Sequence, residues 1–168
     1  MRAKSFSGMT CSIAGAMEAI GDKWGMLLLR DLLLGVSRYD ELQISTGMPT
    51  TTLAERLKRL EAAGIVERRA YRQRPPRFEY LLTPRGRDLW KVTTALREWG
   101  DRWDTNGLGA PTVVLVDRET GHPLELALVD SETGAPVPRP RAELRPGPGA
   151  DDLVRARFAQ SPRKEPAP

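Results

Sequence analysis

Two short helical patterns follow each other with only two or three residues between them, and this spacing limits the fold more than any other feature of the chain. The first pattern, SRYDELQISTG (37–47), has acids in its first turn and ends at a glycine. The second, TTLAERLKRLEAAG (51–64), repeats leucine at positions i, i+4 and i+7 and therefore has one apolar stripe. Two helices with so short a glycine-containing connection are typical of a helix-turn-helix.

Two strand patterns come directly after the second helix. IVERRAY (65–71) and RFEYLLT (77–83) both alternate with period two, and RQRPP lies between them. Prolines cannot donate to a strand ladder, so we expect both of them in the loop. The pattern predicts a β-hairpin with Phe78 and Tyr80 facing the core. Its tip displays three arginines: Arg72, Arg74 and Arg77.

Helical patterns flank this motif on both sides. TCSIAGAMEAI (10–20) has Thr10 as its expected cap, and DKWGMLLLRDLLLG (22–35) has Asp22. A long helix is predicted over 83–107, with Thr83 as cap and Pro84 in the first position. Its apolar stripe has no obvious second partner within one chain, which indicates a dimerisation helix.

Positive charge is concentrated in the same part of the chain. Residues 1–104 hold 18 basic and 13 acidic side chains, whereas residues 105–168 hold 8 basic and 9 acidic ones. Within the hairpin pattern, one stretch of ten residues contains five arginines and no acid. The arginines are Arg68, Arg69, Arg72, Arg74 and Arg77. Such a cluster suits an anionic partner, and nucleic acid is the default candidate. The alternative is an ordinary solvated face.

Three segments of the chain resemble the HxlR-type bacterial regulators. They are CSIAGAMEAIGDKWGMLLLRDLLLG, SRYDELQISTGMPTTTLAERLKRLEAAGIVERR and PPRFEYLLTPRG, and the resemblance covers about residues 10–104. It implies an α+β winged helix-turn-helix that binds double-stranded DNA as a homodimer and regulates transcription. Its N- and C-terminal helices are expected to build the dimer interface through Ile13, Met17, Leu89, Val92, Leu96, Trp99 and Trp103.

The expected DNA contacts come from the second helix, 50–62, and from the hairpin. A major groove about 12 Å wide admits one helix, and arginines of a wing can reach the backbone or the minor groove. Relatives often have serine where Pro49 stands, so Thr50 is an alternative cap and the register of the base-facing residues is open by one position. Arg56 could instead form a structural salt bridge. The predicted set is Arg38, Thr50, Thr51, Thr52, Glu55, Arg56, Arg59, Arg72, Arg74 and Arg77.

Cys11, the single cysteine, is a candidate redox sensor. It is expected in the first turn of a helix, where the dipole favours a thiolate, and reactivity follows the thiolate. The resemblance implies that some relatives sense oxidants through a cysteine at this place. The alternative is a small buried apolar residue. A switch through one cysteine would need an intermolecular disulfide or an adduct.

The composition changes after residue 105. VDRETGHPL and VDSETGAPV are similar and offset by 13 residues, with Asp and Thr-Gly in turn-forming positions. They predict a small β-meander. The expected organisation is a DNA-binding and dimerisation domain over 1–107, a β-rich extension over 108–161 and a disordered tail over 162–168.

Other functional classes lack support in the sequence. The chain has no 18-residue apolar run, so no membrane span and no membrane partner are expected. An N-terminus without the apolar stretch of a secretory signal and a single cysteine, which cannot form an internal disulfide, favour a cytoplasmic protein. His122 is the only histidine, so neither a metal nor another cofactor is expected, and no catalytic motif argues for an enzyme.

The sequence therefore predicts a regulator with a pseudo-palindromic operator. Repression is the commoner mode, and activation remains open. A small-molecule effector is also left open. The alternative function is a winged helix that binds proteins instead of DNA.

Overall fold

The computed structural model describes residues 5–160, which divide into two compact units. The winged unit extends to Val113 and the C-terminal unit begins at Val114. The winged unit contains α1 (Ser12–Ile20), α2 (Lys23–Leu33), α3 (Tyr39–Thr46), α4 (Thr50–Ala62), β1 (Val66–Gln73), β2 (Pro76–Leu82), α5 (Pro84–Arg87) and α6 (Trp90–Arg102). This order confirms the predicted α+β winged helix-turn-helix.

The core of the winged unit forms around the leucine stripe of α4. Leu53, Leu57 and Leu60 are fully buried, and they pack in one cluster with other buried side chains from the surrounding elements, including Leu28, Leu29, Leu42, Met48 and Ile65. The i, i+4, i+7 spacing places the leucines on one side of the helix, so the opposite side is left for solvent or a ligand. Burial of this apolar surface stabilises the arrangement of all four N-terminal helices.

Gly25 allows α2 to approach the end of α1. A Cβ at this position would overlap the carbonyl oxygen of Ile20, so no larger residue fits without a backbone shift. Asp22 caps α2, as predicted, because its carboxylate accepts hydrogen bonds from the amides of Trp24 and Gly25.

The hairpin is an antiparallel two-stranded sheet with a bulge at Tyr71. Pro75 lies in the turn, but Pro76 is the first residue of β2 and pairs with Gln73 at the hairpin end, where its missing amide is tolerated. The Tyr80 amide donates to the Ser37 carbonyl at 2.8 Å, so the segment before α3 lies along β2.

Several local expectations differ from the structure. The predicted single helix over 83–107 is broken after Arg87, because α5 ends in a tight turn in which the Leu89 amide bonds to the Gly86 carbonyl. Gly86 is a poor helix former and is held against the Ile65 carbonyl, where a Cβ would overlap. Helix α1 begins after Cys11 rather than Thr10, and neither residue caps it with a side-chain hydrogen bond.

The C-terminal unit contains the two predicted turns but no strands among residues 114–160. Each turn closes on a single bridge, Val116 with Pro123 and Val129 with Pro136. The predicted β-meander therefore does not extend beyond these bridges, since proline provides no amide with which to continue a ladder. A short 3-10 helix (Arg139–Arg141) and α7 (Asp152–Gln160) complete the unit. The expected disordered tail, 162–168, lies outside the described residues.

Candidate nucleic-acid interface

Helix α4 presents a polar side opposite its leucine stripe. Thr50, Thr51, Glu55, Lys58 and Arg59 are exposed, and Thr52 is half-buried. Pro49 occupies the N-cap position without a side-chain hydrogen bond, and its carbonyl accepts from the Leu53 amide at 2.9 Å. Thr50 is therefore inside the helix and does not cap it, so α4 starts at Thr50. Which of its residues face the bases stays a prediction. Lys58 belongs to the same polar side but was absent from the predicted set.

The turn between α3 and α4 is fixed at three points. Gly47 ends α3 in the left-handed conformation, with φ of 65°. Met48 inserts its side chain into the core. The Tyr39 hydroxyl donates to the Thr50 carbonyl at 2.8 Å and so ties the first residue of α4 to the first residue of α3. These contacts hold the two helices in the geometry of a helix-turn-helix.

Arg38 joins this motif to the hairpin. Its guanidinium lies 5.1 Å from the centre of the Tyr71 ring, and its side chain remains more than half exposed. A weak ion pair with Glu41, 3.9 Å away, leaves most of its donors available. The predicted contact residue Arg38 is thus brought next to the wing, and through the neighbouring Tyr39 to the start of α4.

The arginines at the tip of the wing are exposed and lack acidic partners. Arg72, Arg74 and Arg77 form no ion pair with the residues that the structure describes. Arg72 and Arg77 face each other directly in the strand register, a pairing of like charges that destabilises a hairpin. The Arg72 Nε donates to the Arg74 carbonyl at 3.1 Å, which stiffens the tip. This concentration of uncompensated charge suits an anionic partner.

The arginines at the base of the wing are held by the protein itself. Arg69 binds Glu79 through Nε at 2.9 Å and Nη2 at 2.8 Å. The Arg68 guanidinium stacks on the Phe78 ring, 3.5 Å from its centre. Phe78 is consequently half-buried beneath Arg68 and is not part of the core cluster, whereas Tyr80 packs against that cluster as predicted. Burial raises the pKa of Tyr80 above its ordinary value.

Arg56 occupies a different environment from the rest of the predicted contact set. Its guanidinium binds the Asp22 carboxylate at 2.6 Å and lies 3.1 Å from a Glu55 oxygen. Its side chain is 16% exposed, compared with 66% for Glu55. This geometry favours the structural alternative for Arg56. Asp22 was expected only as a helix cap, and nothing in the local sequence pattern identifies a partner 34 residues away.

An uncovered apolar surface lies on α1 and α6. Ile13 is 75% exposed and Trp103 is 67% exposed, and Met17, Val92, Leu96 and Trp99 are also exposed. Leu89 differs from the others because it packs against the core cluster. Residues of both helices line a cavity of about 370 Å³. Exposed apolar side chains on two helices that line one cavity are typical of an interaction site.

The Cys11 thiol is half-buried at the N-cap of α1, one position before the first turn in which it was expected.

Within residues 5–160, no group of three His, Cys, Asp or Glu side chains could hold a metal ion. No helix in that range is long and apolar enough to cross a membrane.

Comparison with known proteins gives a consistent result. The profile of the HxlR-like helix-turn-helix family matches residues 19–107. Rv3095 of Mycobacterium tuberculosis, an uncharacterized HTH-type transcriptional regulator, is 33% identical over 138 residues, which are 82% of this chain and 87% of that protein.

Two solved structures extend the comparison. PA1607, described as a candidate transcription factor, matches with a TM-score of 0.69 and 31% identity over 84% of this chain and 99% of its own. The redox regulator HypR in its reduced form matches with a TM-score of 0.52 and 33% identity, over 59% of this chain and 98% of its own. The matches to Rv3095 and PA1607 are longer than the winged unit, so both include part of the C-terminal unit.

Proposed function

Because the chain belongs to the HxlR-like helix-turn-helix family of transcriptional regulators, we propose that it acts as a homodimeric repressor with a sequence-specific operator. Helix α4 enters the major groove, and the tip of the wing follows the adjacent backbone or minor groove. Two-fold symmetry of the dimer requires a pseudo-palindromic operator. A dimer that covers both half-sites in the cytoplasm blocks access of the polymerase to the promoter.

The observation that carries this proposal is the uncompensated charge at the wing tip. Arg72 and Arg77 are opposite each other in the register, although like charges so placed destabilise the free protein. A phosphate backbone converts this repulsion into attraction, because each phosphate carries a negative charge. The wing is joined to α4 through contacts of Tyr71 with Arg38 and of Tyr39 with Thr50, so both elements can engage one duplex.

The uncovered apolar side chains of α1 and α6 support the homodimer. Ile13, Met17, Leu96 and Trp99 are exposed in the single chain, and an isologous interface would bury them against the same residues of a second copy. Aromatic side chains dominate the energetics of such interfaces. The cavity between the two helices is the place where a small-molecule effector would be expected, next to the interface that it would control.

Selection of bound sequences from random duplex DNA tests the function directly. A repressor of this kind is expected to enrich one pseudo-palindromic sequence, and its affinity for that sequence should fall steeply as salt is added. Sedimentation should show a dimer both free and on the operator. A protein that enriches no sequence, and that captures a protein partner independently of salt, would instead be an interaction module.

Oxidant sensing through Cys11 is proposed as a property of the same regulator. It is supported by the partial exposure of the thiol and by the similarity to HypR, a redox regulator. Since the chain has one cysteine, an oxidant must either join two chains through a disulfide or leave an adduct. Repeating the selection with reduced and oxidised protein tests this property. Cys11→Ser should bind the operator normally and lose the response, and an unchanged response would remove Cys11 from consideration.

A further inference from the structure

The carboxylate of Asp22 connects two helices that are distant in sequence. Its Oδ1 accepts hydrogen bonds from the amides of Trp24 and Gly25, both at 3.1 Å, and thereby caps α2. Its Oδ2 accepts from two nitrogens of Arg56 in α4, Nε at 2.8 Å and Nη2 at 2.6 Å. Both oxygens are therefore occupied, one by the start of α2 and one by the middle of α4.

The guanidinium of Arg56 is poorly accessible to DNA. Nε and Nη2 face Asp22, and Nη1 is buried, 3.1 Å from a carboxylate oxygen of Glu55 but without a hydrogen-bond partner among the described residues. Burial opposes ionisation of Asp22, but the hydrogen bonds from Arg56 and Gly25 outweigh it, so the pKa of Asp22 is lowered. The hydrogen bond with Asp22 likewise raises the pKa of Arg56. Each partner therefore stabilises the charged form of the other.

We propose that Arg56 and Asp22 are positioning residues for the reading of DNA, and that Arg56 does not contact DNA. The pair fixes the rotation and axial position of α4 relative to the rest of the winged unit. This inference rests on the DNA-binding function proposed above. It replaces the predicted role of Arg56 and adds a residue, Asp22, outside the helix-turn-helix.

The core alone does not provide this control. Leu53, Leu57 and Leu60 make non-directional contacts, which tolerate small rotations of a helix with little change in buried area. A guanidinium that binds a carboxylate through two nitrogens is directional. The Tyr39 hydroxyl fixes the first residue of α4, and the Asp22 carboxylate fixes its middle, half a helix away. Side chains that read base edges need such support, because their hydrogen bonds lose strength steeply with misalignment.

The test uses the full-length protein and the operator obtained by selection. Asp22→Asn keeps an oxygen that can cap α2, since asparagine caps as well as aspartate, but removes the charge that holds Arg56. Arg56→Gln removes the other partner, and the double variant removes both. Arg74→Gln, at the exposed tip of the wing, serves as the comparison for a direct phosphate contact. Affinities are measured for operator and for unrelated duplex over a range of salt concentrations, below the melting temperature of each variant.

We expect Asp22→Asn and Arg56→Gln each to weaken operator binding about tenfold, the scale of one lost base contact. Binding to unrelated duplex and the salt slope should stay close to wild type, whereas Arg74→Gln should lower the slope by about one. The double variant should lose no more than either single variant, because both remove the same contact. Arg56→Lys should recover part of the discrimination, since an ammonium can pair with Asp22 but cannot bind it through two nitrogens.

Two results would overturn the inference. If Arg56→Gln lowers the salt slope by about one and Asp22→Asn does not weaken binding, then Arg56 is a phosphate contact. If Asp22→Asn, Arg56→Gln and the double variant melt at lower temperature but distinguish operator from unrelated duplex as the wild type does, the pair only stabilises the fold. Should Arg56→Gln not fold, the discrimination and salt slope of Asp22→Asn decide between the same outcomes. A wild-type protein that does not distinguish operator from unrelated duplex removes the proposed function itself, together with this inference.

Discussion

The winged unit and the C-terminal unit are ordered by different kinds of interaction. In the winged unit, eleven side chains form one buried hydrophobic cluster contributed by helices, turns and the hairpin. In the C-terminal unit, no residue between 114 and 160 is buried, and large apolar side chains such as Leu128 and Leu153 are exposed. The second unit instead repeats one local turn, with Asp117 and Asp130 in equivalent positions.

This difference separates long-range from local order. Each turn of the C-terminal unit closes within five residues, where the Gly121 amide donates to the Asp117 carbonyl and the Gly134 amide to the Asp130 carbonyl, both at 2.9 Å. Such contacts fix a short loop but bury little apolar surface, so they contribute little to a cooperative unfolding transition. We therefore expect global stability to reside in the winged unit.

Removing a core leucine should have the largest effect. Leu57→Ala deletes buried methyl groups from a site that is 1% exposed, and we expect a loss of about 2–5 kcal/mol in the free energy of unfolding. Urea denaturation monitored by tryptophan fluorescence measures this loss. The matched control is Leu128→Ala in the C-terminal unit, expected to lose less than about 0.5 kcal/mol. Comparable losses for the two variants would show that Leu128 is buried by a partner in solution.

Adding a methyl group to a glycine should have the next largest effect. Gly25→Ala forces a Cβ against the Ile20 carbonyl, and overpacking of this kind costs about 1–3 kcal/mol. Gly147→Ala, in the C-terminal unit, meets no heavy atom within 4 Å and should be close to neutral. Thermal melting of both variants makes the comparison. A neutral Gly25→Ala would mean that α1 and α2 can separate slightly without loss.

Periodic and local signals in the sequence predicted much of the winged unit. The leucine spacing of α4 located its buried side, and alternation located the hairpin, because each pattern reflects one regular secondary structure. Asp22 was predicted as a cap for α2, a contact that spans only three residues. The arginines at the wing tip were predicted from the alternation of the two strands and the prolines between them. The sequence could therefore indicate the fold and the polar side of α4.

Contacts between distant residues were not predictable in the same way. The partner of Asp22 is 34 residues away, and the sequence left open whether Arg56 contacts DNA or forms a structural salt bridge. The break between α5 and α6 depends on Gly86 meeting the Ile65 carbonyl, a tertiary contact. In the C-terminal unit the turns were predicted, but the prolines that limit each to one bridge outweighed the strand pattern.

The two units should also differ in their contribution to DNA binding. Arg74→Ala removes one exposed charge from the wing tip, and we expect weaker binding to all duplexes by a similar factor, with a salt slope lower by about one. Arg139→Ala, an exposed arginine of the C-terminal unit, should leave the slope unchanged because residues 105–168 carry more acids than bases. Fluorescence anisotropy over a salt series measures both. Equal slopes for the two variants would place the C-terminal unit on the DNA as well.

Acid should produce the smallest and most selective effect. Hydrogen bonds from Arg56 and Gly25 outweigh burial and lower the pKa of Asp22, so its stabilising contribution is present above the unfolded value of about 3.9 and is lost as pH falls below it. We expect this contribution to be about 1 kcal/mol or less, because the carboxylate is partly solvated. Stability measured between pH 6 and pH 3 should therefore fall less in Asp22→Asn than in wild type.

The acidic groups of the C-terminal unit titrate by the same rule but with a different consequence. Amides of Thr120 and Glu119 lower the pKa of Asp117, and those of Thr133 and Glu132 lower the pKa of Asp130. Protonation at pH values below the ordinary aspartate pKa of about 3.9 removes these acceptors, so each turn should open locally while the core of the winged unit stays intact. Amide exchange of Thr120 and Thr133 should accelerate in acid relative to the intrinsic rate, without a matching change at Leu57. Simultaneous acceleration at all three amides would show that both units unfold as one.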